Sequence, residues 1–121
     1  MAASALASPL LDPRGDPTST FPVNCAVTNT SPLENNVVEV IKEYDNSIIP
    51  LSLQINPFGS KCTLIRRHAD AEMSLCGGIA GKSREHIVEA ARDILSKCKK
   101  DGRVSGRRRI DDGNGLDIWI H

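Results

Sequence analysis

The segment Cys76-Gly-Gly-Ile-Ala-Gly-Lys-Ser83 gathers residue types that handle phosphate: glycines with bare backbone, a lysine and a hydroxyl. It comes close to the pattern G-x-x-x-x-G-K-[ST], in which loop amides wrap phosphates, the lysine neutralises charge and the hydroxyl holds magnesium. The first glycine of that pattern is replaced by Cys76. A chain of 121 residues also has no length for the parallel sheet and second acidic strand of nucleotide hydrolysis. What remains is a glycine turn opening into a helix start beside basic side chains, a place to hold a nucleic-acid backbone. The residues expected to touch it are Gly78, Gly81, Lys82, Ser83 and Arg84. Lys97, Lys99, Lys100, Arg107, Arg108 and Arg109 would add long-range attraction.

The charge distribution points the same way. Net formal charge is zero, yet residues 61–109 hold 13 Lys/Arg against 6 Asp/Glu, while the remainder holds 2 against 9. A segregated basic half is the footprint of a polyanion ligand, and a balanced total argues against strong nonspecific binding. The run from Lys97 to Arg109 also reads as a nuclear-import patch or a solvated tail. With one Trp, one Tyr and two Phe, stacking on single-stranded bases is not expected to dominate.

Other chemistry is thin. His68, Asp70 and Glu72 alternate, so on a strand they would share a face and hold a divalent cation, whereas off a strand they solvate a turn. None of the three histidines sits in a recognisable Ser–His–Asp or Cys–His motif. No enzyme activity, metal or cofactor is expected. The cysteines at 25, 62, 76 and 98 show no CxxC pair and read as reduced, mostly buried small hydrophobes. The first residues lack the charged start of a secretion signal, and no apolar run approaches the ~20 residues that span a bilayer. The expected location is cytoplasmic or nuclear, with no membrane contact, which leaves the sequon Asn29-Thr30-Ser31 idle.

Positioning these residues requires a small fold. Residues 1–30, rich in Ala, Ser, Pro and Thr, read as a disordered tail. Phe21, Val23 and Val27 offer a lesser reading as an edge segment. Ser31-Pro32-Leu33-Glu34 is a capping box opening a helix with Leu33, Val37, Val38, Ile41 and Tyr44 at helical spacing. Ser47 to Ile55 alternates as a strand, with Ile49, Leu51, Leu53 and Ile55 on one face and Ser52 and Gln54 on the other. Lys61–Arg67 and Glu72–Cys76 follow as strands. Ser83 then caps a helix with the stripe Ile87, Ala90, Ala91, Ile94, Leu95 and Cys98, Ala90 lying nearer its edge. Leu116 to Ile120 reads as a late strand or a tail. The expected fold is α+β, with a three-stranded antiparallel sheet packed on one face by two helices in the order α-β-β-β-α. Residues 31–102 would form the domain, and 103–121 a basic segment and C-terminal tail.

Two RNA-binding families resemble this layout. Met73-Ser-Leu-Cys-Gly and Ile87-Val-Glu-Ala-Ala-Arg-Asp-Ile-Leu95 are similar to the last strand and helix of KH domains, and Gly78-Ile-Ala-Gly81 spells their G-x-x-G. The helix–three strands–helix order resembles the double-stranded-RNA-binding domain, with Gly81-Lys82-Ser83-Arg84 and Ala90-Ala91 similar to its last helix. Both resemblances imply a non-catalytic RNA-binding domain. The alternative is a protein–protein interaction module of RNA-binding-like shape that has lost its nucleic-acid surface, which the low aromatic content and zero net charge favour.

Overall fold

The computed structural model describes residues 21–121. The first twenty residues of the expected tail lie outside the described residues. Among the described residues the fold is α+β, with two helices and antiparallel sheets. The elements are β1 (Val23–Cys25), α1 (Glu34–Asp45), β2 (Leu51–Gln54), β3 (Cys62–His68), β4 (Ala71–Cys76), β5 (Ala80–Ser83), α2 (Arg84–Lys97), β6 (Lys99–Lys100), β7 (Arg103–Val104), β8 (Gly106–Asp111) and β9 (Leu116–Ile120).

The main sheet has five strands, in the order β1-β8-β9-β4-β3, where three were expected. The extra strands come from segments read as tails. Residues 103–121 supply β7, β8 and β9, and β8 and β9 hold the centre of the sheet. Along β8, Gly106, Arg108 and Ile110 are buried, while Arg107, Arg109 and Asp111 are not. That is a period of two, the mark of a half-buried strand. Because Arg107, Arg108 and Arg109 are identical and adjacent, the alternation is hidden in the sequence, which reads there as one charged run. β1 pairs with β8 as an edge strand, the role offered for Val23. β2 and β5 form a separate two-stranded sheet, as do β6 and β7.

Both helices cover one face of the main sheet. Val37, Val40, Ile41 and Tyr44 of α1 and Ile87, Val88, Ala90, Ala91 and Ile94 of α2 are buried against Met73, Leu75, Ile110, Ile118 and Ile120. Burial of each large apolar side chain stabilises the fold by roughly 1.5–3 kcal/mol. The α1 stripe is set one step round from the expected one: Val40 is in the core, while Leu33 and Val38 are exposed. Ser31 does not cap α1. The helix opens at Leu33 without a side-chain cap, and Ser31 Oγ accepts from Thr28 N at 2.8 Å instead. Ala90 is as fully buried as Ala91 and not at an edge.

The cysteines are not reduced. Cys25 pairs with Cys98, tying β1 to the end of α2, and Cys62 pairs with Cys76 across the β3–β4 ladder. In sequence they are 73 and 14 residues apart, separations that no local spacing motif announces. No helix among the described residues is long and apolar enough to cross a membrane.

Candidate functional site

β2 alternates as its sequence requires, but the faces are reversed. Ser52 and Gln54 are buried, while Ile49, Leu51, Leu53 and Ile55 point outward. The polar pair goes inside because every demand it makes is met. Ser52 Oγ lies 2.6 Å from the buried Tyr44 hydroxyl, whose pKa burial pushes up, keeping it protonated. Gln54 donates from Nε2 to the carbonyls of Asn56 and Gly77, and its Oε1 accepts from Asn56 N and Thr63 Oγ1. A buried amide with its donors and acceptor engaged avoids the desolvation penalty that an orphan would carry.

The consequence is an apolar strip in solvent. Leu51 and Leu53 are about half exposed (51% and 52%), Ile55 is 62% exposed, and Ile79, preceding β5, is 63% exposed. The register that pairs Leu53 with Gly81 and Gln54 with Ala80 carries Ile55 opposite Ile79. Gly81 keeps the strip flat: a Cβ there would lie 2.6 Å from Leu53 Cδ2 and 3.3 Å from Leu51 Cδ1. Ile48 and Phe58, just before and after the strand, are also strongly exposed. Contiguous apolar surface of this kind marks interaction sites in folded domains.

The expected phosphate turn is occupied by the protein itself. Gly77 N donates to Lys61 O at 2.8 Å and Gly78 N to Asn114 O at 3.1 Å. Gly77 has φ +118°, and a Cβ on it would fall 1.9 Å from Gly115 O. This pair therefore allows the β8–β9 turn to pass close by. Gly81 lies beneath the leucines, and Lys82 Nζ is 3.9 Å from Asp111. Ser83 Oγ meets His86 Nδ1 at 2.6 Å and makes no cap bond to the α2 backbone. Arg84 donates its guanidinium to the carbonyls of Ser47 and Ile49, fastening the loop before β2.

The basic run is likewise distributed. Lys97 pairs with Asp93 at 2.9 Å and Lys99 with Glu34 at 3.0 Å, while Lys100 sits opposite Arg103 in the β6–β7 hairpin. Arg107 and Arg109 share Asp117 at 3.1 and 2.5 Å, and Arg109 also reaches Asp112. Arg108 faces the helices and is buried beside Asp93. Lys82 and Lys97–Lys100 lie by opposite ends of β8, so the eleven residues form no single surface. His68, Asp70 and Glu72 also diverge: His68 meets Glu43, Asp70 accepts from Leu33 N and Asn36, and Glu72 pairs with Arg67.

Arg107 and Arg109 do reach the sheet face that the helices leave open. Register sets three rungs there: Arg67, Glu72 and His121; Leu64, Ser74, Trp119, Arg107 and Asn24; and Cys62, Cys76, Asp117 and Arg109. Trp119 and His121 stack with ring centroids 3.7 Å apart, and the Arg107 guanidinium lies 5.5 Å from the Trp119 centroid. The stack runs between two hollows. Trp119 and His121 line one of about 260 Å³ beside residues 26–32, and Arg107 lines one of about 310 Å³ beside Phe21 and Pro22. His121 Nε2 lies 2.9 Å from Ser74 Oγ in a hydrogen bond, and Nδ1 is 3.6 Å from Glu72 Oε1, beyond hydrogen-bond distance. Burial holds its pKa below the ordinary value, Glu72 opposing and Arg107 adding to the effect. Sequence reasoning missed Trp119, although the alternation of Leu116, Ile118 and Ile120 places it on the opposite face.

No protein family, curated protein or solved structure matches the chain. The functional reading rests on geometry.

Proposed function

We propose that this protein is a non-catalytic interaction module that docks a protein partner on the outward face of β2 and β5. The observation that carries this reading is the reversal of β2: two polar residues are buried and hydrogen-bonded, and four large aliphatic side chains are turned to solvent. A strand free to place its apolar side inward gains from doing so. Holding it outward needs the built polar anchors described above, and those anchors give the face a purpose. The two disulfides favour work in an oxidising compartment over the cytoplasm or nucleus.

The test uses Leu53→Asp/Ile55→Asp in the full chain. Both side chains are more than half exposed, so the thermal midpoint should hold within a few degrees while partner association falls. Sedimentation of the native chain alone first establishes whether the partner is a second copy. A variant that folds and still captures the same partners equally well sinks the reading.

A second reading, RNA binding, is supported by Trp119, His121 and Arg107 on the open sheet face. Planar side chains beside a guanidinium on an exposed sheet suit unstacked bases, which favours single-stranded over duplex RNA. Trp119 is the only tryptophan. Its fluorescence should therefore be quenched by single-stranded RNA, with affinity that falls as salt rises. Unchanged fluorescence at low salt refutes this reading.

A further inference from the structure

The outward face of β2 reads the same in both directions. Leu51 and Leu53 stand next to Ser52 on either side, and Ile49 and Ile55 stand one strand repeat further out. Two central leucines with an isoleucine at each end make the row a palindrome, and all four side chains are exposed. Gly81 of β5 adds no bulk beside the leucines, so the centre of the face can be approached closely. With Ile79 opposite Ile55, and Ile48 and Phe58 flanking the strand, these side chains together expose roughly 800 Å², the share each partner brings to a stable interface. The largest apolar patch of a typical monomer is only about 300–600 Å². Charge is no bar to two such faces meeting. The cations that follow Gly81 are taken up within the chain, Lys82 by Asp111 and Arg84 by the carbonyls of Ser47 and Ile49. The chain as a whole carries no net formal charge, a condition that favours self-association.

We propose that the partner docked on this face is a second copy of the chain, related by a two-fold axis at Ser52. The inference rests on the docking reading above and names its partner. A two-fold interface is isologous: if residue i of one copy meets residue j of the other, the reverse contact also forms. With the two β2 strands antiparallel about Ser52, Leu51 of each copy lies against Leu53 of the other, and Ile49 against Ile55. Every contact joins like with like, so the row is its own complement. The polar anchors then serve assembly, since Tyr44, Thr63 and Gly77 hold Ser52 and Gln54 inward and away from the interface.

The test is sedimentation velocity of the full, disulfide-bonded chain, native and carrying Leu51→Lys or Leu53→Asp. The native chain should sediment as a dimer at micromolar concentration. Either substitution sets a charge against leucine at two symmetry-related contacts and should raise the dissociation constant about a hundredfold or more. An equimolar mixture of the two variants should recover association, because one contact becomes Lys–Asp while the other remains Leu–Leu. Both positions are about half exposed, so the thermal midpoints should stay within a few degrees of native. Isotope-filtered NOEs between labelled and unlabelled native copies read the Leu51–Leu53 contact with no substitution at all. A native chain that stays monomeric overturns the second copy alone, and the docking reading then stands or falls on Leu53→Asp/Ile55→Asp and its own partner. A dimer that neither substitution weakens, or one without the Leu51–Leu53 NOE, overturns the inference. Variants that dissociate but do not recover on mixing overturn the two-fold at Ser52 while keeping the strip as the docking face.

Discussion

Replacing Cys25 and Cys98 by alanine tests the most consequential feature that the sequence conceals. The bond joins residues 73 apart and fixes β1 to the end of α2. A crosslink removes loop-closure entropy from the unfolded chain, and for a loop of this length the effect is about 4.4 kcal/mol at 25 °C. The Cys62–Cys76 bond, with a separation of 14, closes a shorter loop, for which the same relation gives about 3.0 kcal/mol. Against a typical stability of about 5–15 kcal/mol, either loss is large and both together bring the chain near unfolding. Urea unfolding followed by circular dichroism should show Cys25→Ala/Cys98→Ala with the lower midpoint of the two double variants, by about 1.5 kcal/mol at equal slope. Cys98 is nearly buried, so its alanine variant also loses a little packing, in the same direction. Two results would refute the reasoning. One is four free thiols titrating in the unfolded, unreduced protein. The other is a native chain whose midpoint does not move when reductant is added.

Ala90→Asp and Ala91→Asp should each cost about 3 kcal/mol or more, since both side chains are fully buried and neither carboxylate would find a partner; a mild Ala90→Asp would move that residue to the edge of the stripe. Gly77→Ala should cost about 1–3 kcal/mol in backbone strain alone, with the collision against Gly115 O added, and an unchanged melting temperature would dissolve the close approach described here. His121 adds a pH dependence. Burial lowers its pKa from 6.5, so the unfolded chain holds more protons just below that pH. Its contribution to stability is fully present above about 6.5 and is lost as pH falls through the folded value. In His121→Gln the urea midpoint should vary less with pH across that window, and an unaltered slope would clear His121 as its source.

The parts of this fold that were legible in the sequence are those with a clean apolar period. α2 appears where Ile87, Ala91 and Ile94 place it, and β3 and β4 lie within a residue or two of their expected bounds. Misreadings follow one cause: position in a period was inferred from polarity alone. In β2 the alternation was visible, but the direction was not, because it depends on Tyr44, Thr63 and Gly77 waiting to bond Ser52 and Gln54. Those partners come from α1, β3 and the segment after β4. The glycine turn depends on distant partners in the same way. Its amides are free in the sequence and taken in the fold by Lys61 and Asn114.

The triple arginine carries the sharpest form of this lesson. Three adjacent cations suggest a solvated arm, since like charges repel and hydrate well. On a strand they cannot remain equivalent, because successive side chains leave on opposite faces. Arg107 and Arg109 go to the open face and are matched by Asp117 from the neighbouring strand, while Arg108 enters the helix side next to Asp93. Each carboxylate is supplied by an element packed directly against β8, Asp117 by β9 and Asp93 by α2. The segregated charge of residues 61–109 is thus partly consumed in holding β8 and β9 together. Arg108 keeps Asp93 within 3.4 Å of its Nε on the helix side, so the run divides between two faces and forms no single arm.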